Sequence, residues 1–222
     1  MIKVIIFDLW NTLIPITVDH THWVSLLKKE KLSMDEFIPR YEDAVQLKNY
    51  SSFDELRKDF FDEFQEKDNS LLEQTLYEVY FNRYDKIHYF PDVEHILKKL
   101  KSEEYKIALL SNMESLNYKE VEEKLHLEKY IDLFAYSFIV GSLKPSKKSF
   151  EFVLNHFKIQ PSECLMVGDT PRSDIMGAQR VGMHNCLIER KPHFESTNGI
   201  KPEFKIKSFE ELPQVLAVLN KN

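Results

Sequence analysis

Cysteine is nearly absent from this chain of 222 residues: there are two, Cys164 and Cys186, each in or beside an apolar run and neither in a paired motif. That excludes a disulfide scaffold and fits two buried thiols in a reducing compartment. Also missing is any apolar run longer than a strand, and no basic N-terminal region precedes a long apolar stretch. The expectation is a soluble, cytoplasmic protein with no membrane partner. There is no basic block either: 30 Lys and Arg stand against 36 Asp and Glu, a formal net charge of −6. Nucleic acid is therefore not an expected partner, because nothing concentrates positive charge for a phosphate backbone. Internal repeats and low-complexity segments are lacking as well.

What is present suits a packed core. Hydrophobic residues make up 43% and aromatics 13%, too much apolar surface for a disordered chain. The length fits one large domain, or an ordinary core with a smaller one inserted. The stretch that organises the rest is Val4-Ile5-Ile6-Phe7-Asp8-Leu9-Trp10-Asn11-Thr12-Leu13. Four consecutive apolar residues, three of them β-branched, predict a strand buried on both faces, as in a parallel sheet covered by helices. Ligands of open α/β sheets sit beyond the carboxyl ends of the strands, so Asp8 is placed to face a site. The alternative is a turn or cap residue.

After Leu13 the pattern turns helical until about His88. Thr17–Lys31 carries Trp23, Leu26 and Leu27 on one face, and Ser33–Tyr50 carries Met34, Phe37, Tyr41 and Val45. Ser52 with Glu55 has the signature of a capping box before Phe53, Leu56, Phe60 and Phe64, and Asn69 is placed to cap a helix with Leu72, Leu76, Val79 and Tyr80. Four amphipathic helices with no strand between them predict an inserted unit. From Pro91 strands and helices alternate. Predicted strands are Lys106–Leu110, Ala135–Val140, Cys164–Val167 and Asn185–Ile188, with an edge strand near Phe204–Ile206 and a last helix capped by Ser208 and Glu211. That alternation implies right-handed βαβ units, hence an α/β, Rossmann-like parallel sheet sandwiched by helices.

Four strands end in a polar signal: Asp8, Ser111-Asn112, Gly141 to Lys144, and Gly168-Asp169. A parallel sheet puts all four on one rim. Asp8, Asp169 and Asp174 brought together would resist ionising without a positive partner, which a divalent cation such as Mg²⁺ supplies. Lys144 offers a fixed charge for an anionic substrate, and Ser111 with neighbouring backbone amides offers neutral donors. The combination suits attack by a carboxylate on an electrophile that carries negative charge.

The four segments, in this order, resemble the haloacid dehalogenase-like hydrolase superfamily. Phe7-Asp8-Leu9-Trp10-Asn11-Thr12-Leu13 is similar to its first motif, Leu110-Ser111-Asn112 to its second, Lys144-Pro145 to its third and Gly168-Asp169-Thr170-Pro171-Arg172-Ser173-Asp174 to its fourth. Each is weak alone; together and in order they are strong. The resemblance implies an α/β core of residues 1–14 and 89–222 with an all-helical cap at 15–88. It implies Asp8 as nucleophile and metal ligand, the backbone carbonyl of Trp10 as a second ligand, and Asp169 and Asp174 as further ligands of Mg²⁺. Thr12, Ser111 and Asn112 are implied as substrate and phosphate contacts, with Lys144 both catalytic and substrate-binding. The implied activity is hydrolysis of a small phosphorylated, anionic metabolite through an aspartyl-phosphate on Asp8.

One departure bears on activity. Phosphatases of the family usually carry an acid/base Asp two residues after the nucleophile, where this chain has Trp10. A positioned acid/base group is worth about 10² to 10⁴ in rate. A 2-haloacid dehalogenase-type hydrolase is one alternative, since a halide leaves unprotonated; a catalytically impaired binding protein of the same fold is the other. Arg40 and Arg57 are candidates for gripping an anion, set against solvated helix faces. His20 and His22, two residues apart, do not share a helix face and are not expected to bind metal. Oligomeric state is left open.

Overall fold

The computed structural model describes residues 1–16, 27–28, 31–65, 70–81, 87–116, 118–190 and 199–221. The strands are β1 (Val4–Phe7), β2 (Lys106–Ser111), β3 (Leu133–Tyr136), β4 (Cys164–Gly168), β5 (His184–Ile188) and β6 (Phe204–Ile206). They form one sheet in the order β3-β2-β1-β4-β5-β6, and every pair is parallel. The chain builds from β1 through β2 to β3 on one side and returns to β4 on the other. Strand order therefore reverses beside β1, the position at which open α/β sheets hold their ligands.

The apolar run of β1 is buried on both faces because successive side chains enter different clusters. Ile5 and Phe7 join one cluster, and Val4 and Ile6 join the other. The larger cluster is closed by α4 (Glu94–Ser102), α5 (Tyr118–Leu125) and α9 (Leu212–Leu219), which bury Ile96, Leu97, Val121, Leu212 and Leu216. The smaller is closed by α7 (Lys147–Phe157) and α8 (Met176–Val181), through Phe150, Val153 and Ala178. Gly177 lets α7 and α8 meet, since a Cβ there would collide with the Phe150 ring.

Between β1 and α4 lie α1 (Met34–Val45), α2 (Phe53–Glu63) and α3 (Ser70–Phe81). Phe37, Val45, Leu56, Phe60, Phe64, Leu72 and Leu76 form a third apolar cluster of their own. The Phe60 and Phe64 rings lie 4.8 Å apart, and Phe37 and Phe64 5.2 Å apart. Each fully buried Phe side chain contributes about 1.5–3 kcal/mol. Ser52 Oγ accepts from the Glu55 amide at 3.3 Å, but the Glu55 carboxylate accepts from Ser51 N at 2.9 Å, so the expected capping box is only half formed. Most of the expected helix Thr17–Lys31, including His20, His22, Trp23 and Leu26, lies outside the described residues, as do Asn69 and the side chains of Val79 and Tyr80.

The inserted helices reach the loops beyond β2 and β3 through polar contacts. Ser137 Oγ donates to the Gln46 carbonyl at 2.6 Å, and the Tyr50 amide donates to Ser115 Oγ at 2.8 Å. No described helix is long and apolar enough to cross a membrane.

The third strand corrects the sequence reading. The run Ala135–Val140 is expected as strand, but β3 covers Leu133–Tyr136 and the chain then turns into the short helix α6 (Ser137–Val140). Tyr136 pairs with Ser111, the last residue of β2, so beyond it no ladder partner exists. Gly141 closes that helix at φ +62°, a left-handed conformation in which glycine is unstrained.

Candidate active site

The loop after β1 is a tight reversal. The amide of Asp8 donates to the Val167 carbonyl at 3.0 Å, extending the ladder by one residue and fixing where its side chain leaves the sheet. Asn11 then adopts φ +56° and its amide donates to the Ile14 carbonyl at 2.6 Å, while the Asn11 side-chain oxygen accepts from Ile16 N at 3.2 Å. Asn tolerates this left-handed conformation better than most residues. Trp10 is half-buried against the larger core cluster. Thr12 is fully buried, its hydroxyl without a hydrogen-bond partner among the described residues.

Lys144 joins the pieces. Its Nζ lies 2.6 Å from Asp8 Oδ1 and 2.6 Å from Asp174 Oδ1, with the side chains of all three nearly or wholly inaccessible to solvent. The lysine is set by Asn112, whose Oδ1 accepts from Lys144 N at 2.8 Å and whose Nδ2 donates to the Lys144 carbonyl at 3.3 Å. Asp174 lies on a π-helical turn, Pro171–Ile175, a distortion frequent at functional sites. Its second oxygen accepts from the Thr170 amide at 3.0 Å. Gly168 is required for that approach, because a Cβ there would overlap the Asp174 carboxylate.

Asp8, Asp169 and Asp174 each offer one carboxylate oxygen, and these atoms all lie within 4.8 Å of one another. Burial pushes the Asp8 carboxyl up to about 6; Lys144 opposes the shift and Asp174 adds to it. Asp169 is raised well above the usual carboxylate range by burial and by repulsion from Asp8 and Asp174. Burial would lower Lys144, but the carboxylates of Asp174 and Asp8 outweigh it and hold the ammonium above its ordinary value. Three carboxylates face one ammonium, a surplus of negative charge on hard oxygen donors. A hard divalent cation fits that donor set.

The structure thus brings Asp8, Lys144, Asp169 and Asp174 together, with Ser111 buried at the end of β2. Asn112, expected to hold the transferring group, directs its amide nitrogen to the Lys144 carbonyl and, at 3.1 Å, to Glu42 Oε1 on α1. Both N–H donors then have protein partners. Arg40 does not face the site: its Nε donates to Glu63 Oε1 at 2.8 Å and its guanidinium covers the Phe64 ring at 4.7 Å. Arg57 likewise lies 3.6 Å from Glu73, on the helices.

Two residues went unnoticed in the sequence. Glu42 reaches Asn112 from a helix whose spacing announced only packing. Arg190, in the run Glu189-Arg190-Lys191, resembles a solvated charge cluster, yet only 8% of its side chain is exposed. Its Nε donates to the Thr12 carbonyl at 3.0 Å, its Nη1 lies 2.9 Å from Asp92 Oδ1, and its guanidinium stacks on Phe90 at 4.0 Å. It ties the loop after β1 to the segment that returns from the helices, where Phe90 N also donates to the Leu13 carbonyl at 3.0 Å.

Comparison with known proteins agrees with this geometry. The chain is 37% identical over 112 residues to the pyrimidine 5'-nucleotidase YjjG of Escherichia coli (strain K12), a match covering 50% of this chain and 49% of that protein. It thus spans about half the length of that relative. It is 27% identical over 230 residues to the glyceraldehyde 3-phosphate phosphatase of Pyrococcus furiosus, covering 99% of this chain and 94% of that one. Its fold resembles the crystal structure of 2-haloacid dehalogenase from Pseudomonas syringae pv. Tomato DC3000, with a TM-score of 0.67 at 21% identity over 98% of this chain and 99% of that one. A family model of haloacid dehalogenase-like hydrolases matches residues 2–182, and with the acidic cluster and its lysine at the reversal point of the sheet, the chain belongs to that family of hydrolases.

Proposed function

We propose that the chain is a Mg²⁺-dependent phosphatase acting on a small phosphorylated metabolite, with Asp8 as nucleophile. The observation that carries this reading is the single ammonium of Lys144 held 2.6 Å from both Asp8 and Asp174, with Asp169 beside them. Asp8, Asp169, Asp174 and the backbone carbonyl of Trp10 would hold the ion. Bound Mg²⁺ supplies charge neutralisation for the phosphate and for the surplus carboxylates.

An oxygen of Asp8 attacks phosphorus, the bond from phosphorus to the ester oxygen breaks, and the alcohol leaves as its alkoxide. Water then attacks phosphorus of the aspartyl-phosphate, returning the Asp8 carboxylate and releasing inorganic phosphate. Lys144 holds Asp8 oriented and offsets the charge of the incoming phosphate. Ser111 and the buried hydroxyl of Thr12 border the transferring group, and Asn112 positions Lys144. Residues 15–88 act as a cap on a core of residues 1–14 and 89–222, excluding water from the rim.

Trp10 sets the tempo. Without an acid two residues after the nucleophile, neither the leaving alkoxide nor the attacking water receives proton transfer from that position, at a cost of about 10² to 10⁴ in rate. Aryl phosphates, whose leaving groups need no proton, escape the first penalty but not the second, so the aspartyl-phosphate accumulates. The names of the relatives, a nucleotidase and a glyceraldehyde 3-phosphate phosphatase, support a phosphate monoester as substrate.

Trp10 also favours a second reading, 2-haloacid hydrolysis, because a halide needs no acid. The acidic cluster Asp8, Asp169 and Asp174 speaks for the metal-assisted chemistry. A fluorogenic aryl phosphate tests the two. Release that needs Mg²⁺ and vanishes in Asp8→Ala supports the phosphatase; metal-free halide release from a 2-haloacid supports the rival; silence in both assays overturns both.

A further inference from the structure

The polar side chains gathered at the rim are largely committed to one another. Lys144 Nζ donates to Asp8 Oδ1 and to Asp174 Oδ1, both at 2.6 Å, and the other oxygen of Asp174 accepts from the Thr170 amide at 3.0 Å. Asp169 Oδ1 accepts from Thr170 Oγ1 at 3.1 Å. Among the described residues, the side chain that hydrogen-bonds to Asp8 is Lys144. The loop after β1 adds no proton carrier. The backbone of Trp10 bridges to Ile14, and its indole packs half-buried against the larger core cluster. A reaction at Asp8 that must move a proton is therefore poorly served by these groups, whereas one that moves no proton loses nothing.

We propose that the chain catalyses phosphoryl exchange between acyl phosphates and carboxylates, with Asp8 as the relay. An oxygen of Asp8 attacks phosphorus of the acyl phosphate, the bond from phosphorus to the acyl oxygen breaks, and the acylate leaves with the electron pair. A second carboxylate then attacks phosphorus of the aspartyl-phosphate, and Asp8 leaves with its electron pair as the free carboxylate. Each step forms one phosphorus–oxygen bond and breaks one, and no proton changes place.

The two steps are mirror images. Entering and leaving groups are both carboxylates, with conjugate acids of pKa about 4, so the exchange is near balance and needs neither acid nor base in either direction. Water must lose a proton as it attacks, and without a positioned base it is slower by about 10² to 10⁴. This inference rests on the phosphatase reading and names a substrate class for the same site.

Acetyl phosphate and isotopically labelled acetate test it on the Mg²⁺-loaded full-length protein. Label entering acetyl phosphate reports exchange, inorganic phosphate reports hydrolysis, and the rates with Asp8→Asn are subtracted as background. In the wild type at saturating acetate, exchange should outrun hydrolysis at least about tenfold. Trp10→Asp puts a proton carrier in the loop and should lower that ratio at least about tenfold, through faster hydrolysis. Trp10→Phe carries no proton and should keep the ratio. Where a Trp10 variant fails to fold, the wild-type ratio decides alone. Hydrolysis faster than exchange in the wild type, or a ratio unchanged in folded Trp10→Asp, overturns the inference while leaving the phosphatase intact. If neither acetyl phosphate nor an aryl phosphate is cleaved above the Asp8→Asn rate, the phosphatase reading fails and this inference fails with it.

Discussion

Two clusters of buried charge lie beyond the carboxyl ends of the strands, and they are balanced differently. Around Lys144, three carboxylates face one ammonium, and two of them, Asp8 and Asp169, are driven above the usual carboxylate range. Around Arg190, one carboxylate meets one guanidinium, its Oδ1 lying 2.9 Å from Arg190 Nη1 while its Oδ2 collects the hydrogen bonds. Asp92 Oδ2 accepts from Ser208 Oγ at 2.7 Å, Phe209 N at 2.8 Å and Arg190 Nη1 at 3.1 Å. Burial would raise Asp92, but these donors and the guanidinium outweigh it and hold its carboxyl below the usual value. Phe90 and Phe209 cover the guanidinium at 4.0 and 5.0 Å. The first cluster carries a surplus of negative charge that a cation would offset; the second is balanced in charge, one carboxylate to one guanidinium, and holds the loop after β1 in place.

Substitutions should separate the two. Asp8→Asn is expected to lower turnover of an aryl phosphate about 10⁴-fold or more, as removal of a nucleophile does elsewhere. The same change should leave the metal-free fold as stable as before or more so, because it relieves repulsion from Asp169 and Asp174. Arg190→Met should behave in the opposite way. It takes the guanidinium from a partly buried Asp92, which keeps its Ser208 and Phe209 donors, at a cost of about 1–3 kcal/mol by urea unfolding. Equal loss of stability in both variants would erase the distinction.

Protons sharpen the contrast, because the two aspartates carry opposite signs. Asp8 is raised from near 4 to about 6, so in that window the folded metal-free protein binds more protons than the unfolded chain. Stability should fall as pH rises from about 4 to 6, by at most about 3 kcal/mol, and Asp8→Asn should flatten that part of the curve. Asp92 is depressed, so its contribution is present above the unfolded value near 4 and is lost as pH falls through the folded value. Urea unfolding from pH 3 to 7 on the wild type, Asp8→Asn and Asp92→Asn reads both slopes.

Metal binding should act on one cluster only. Mg²⁺ at a hundred times its dissociation constant should stabilise the wild type by about 2.7 kcal/mol, visible as a raised melting temperature, and much less in Asp169→Asn. Arg190→Met should keep the increment over its own lower baseline. At the small end, Arg57→Ala on the inserted helices should cost no more than about 1 kcal/mol, since its ion pairs are partly exposed.

The rim was legible in the sequence where a carboxylate follows an apolar run of strand length, because parallel pairing brings such ends together whatever their separation along the chain. Asp8 after Val4–Phe7 and Asp169 after Cys164–Gly168 are the plain cases. The segment Ser137–Val140 misled because its apolar residues suit a strand, whereas pairing is limited by a neighbour that ends at Ser111. The partners of Asn112 were not legible, because motif spacing locates a side chain without giving its hydrogen bonds. Glu42 and Arg190 were illegible for a related reason. Their polar partners, Asn112 and Asp92, are 70 and 98 residues away, and no periodicity encodes a contact at that separation.

The central claim is that Asp8 attacks phosphorus and, with Trp10 in place of an acid, is slow to be freed. Rapid quenching of the Mg²⁺-loaded protein with an aryl phosphate, followed by peptide mass spectrometry, tests it directly. The account predicts the mass of one phosphoryl group on the peptide containing Asp8, rising with the burst of released phenol and absent without Mg²⁺. Steady hydrolysis with Asp8 unmodified throughout, or with the phosphoryl group on another residue, would contradict it.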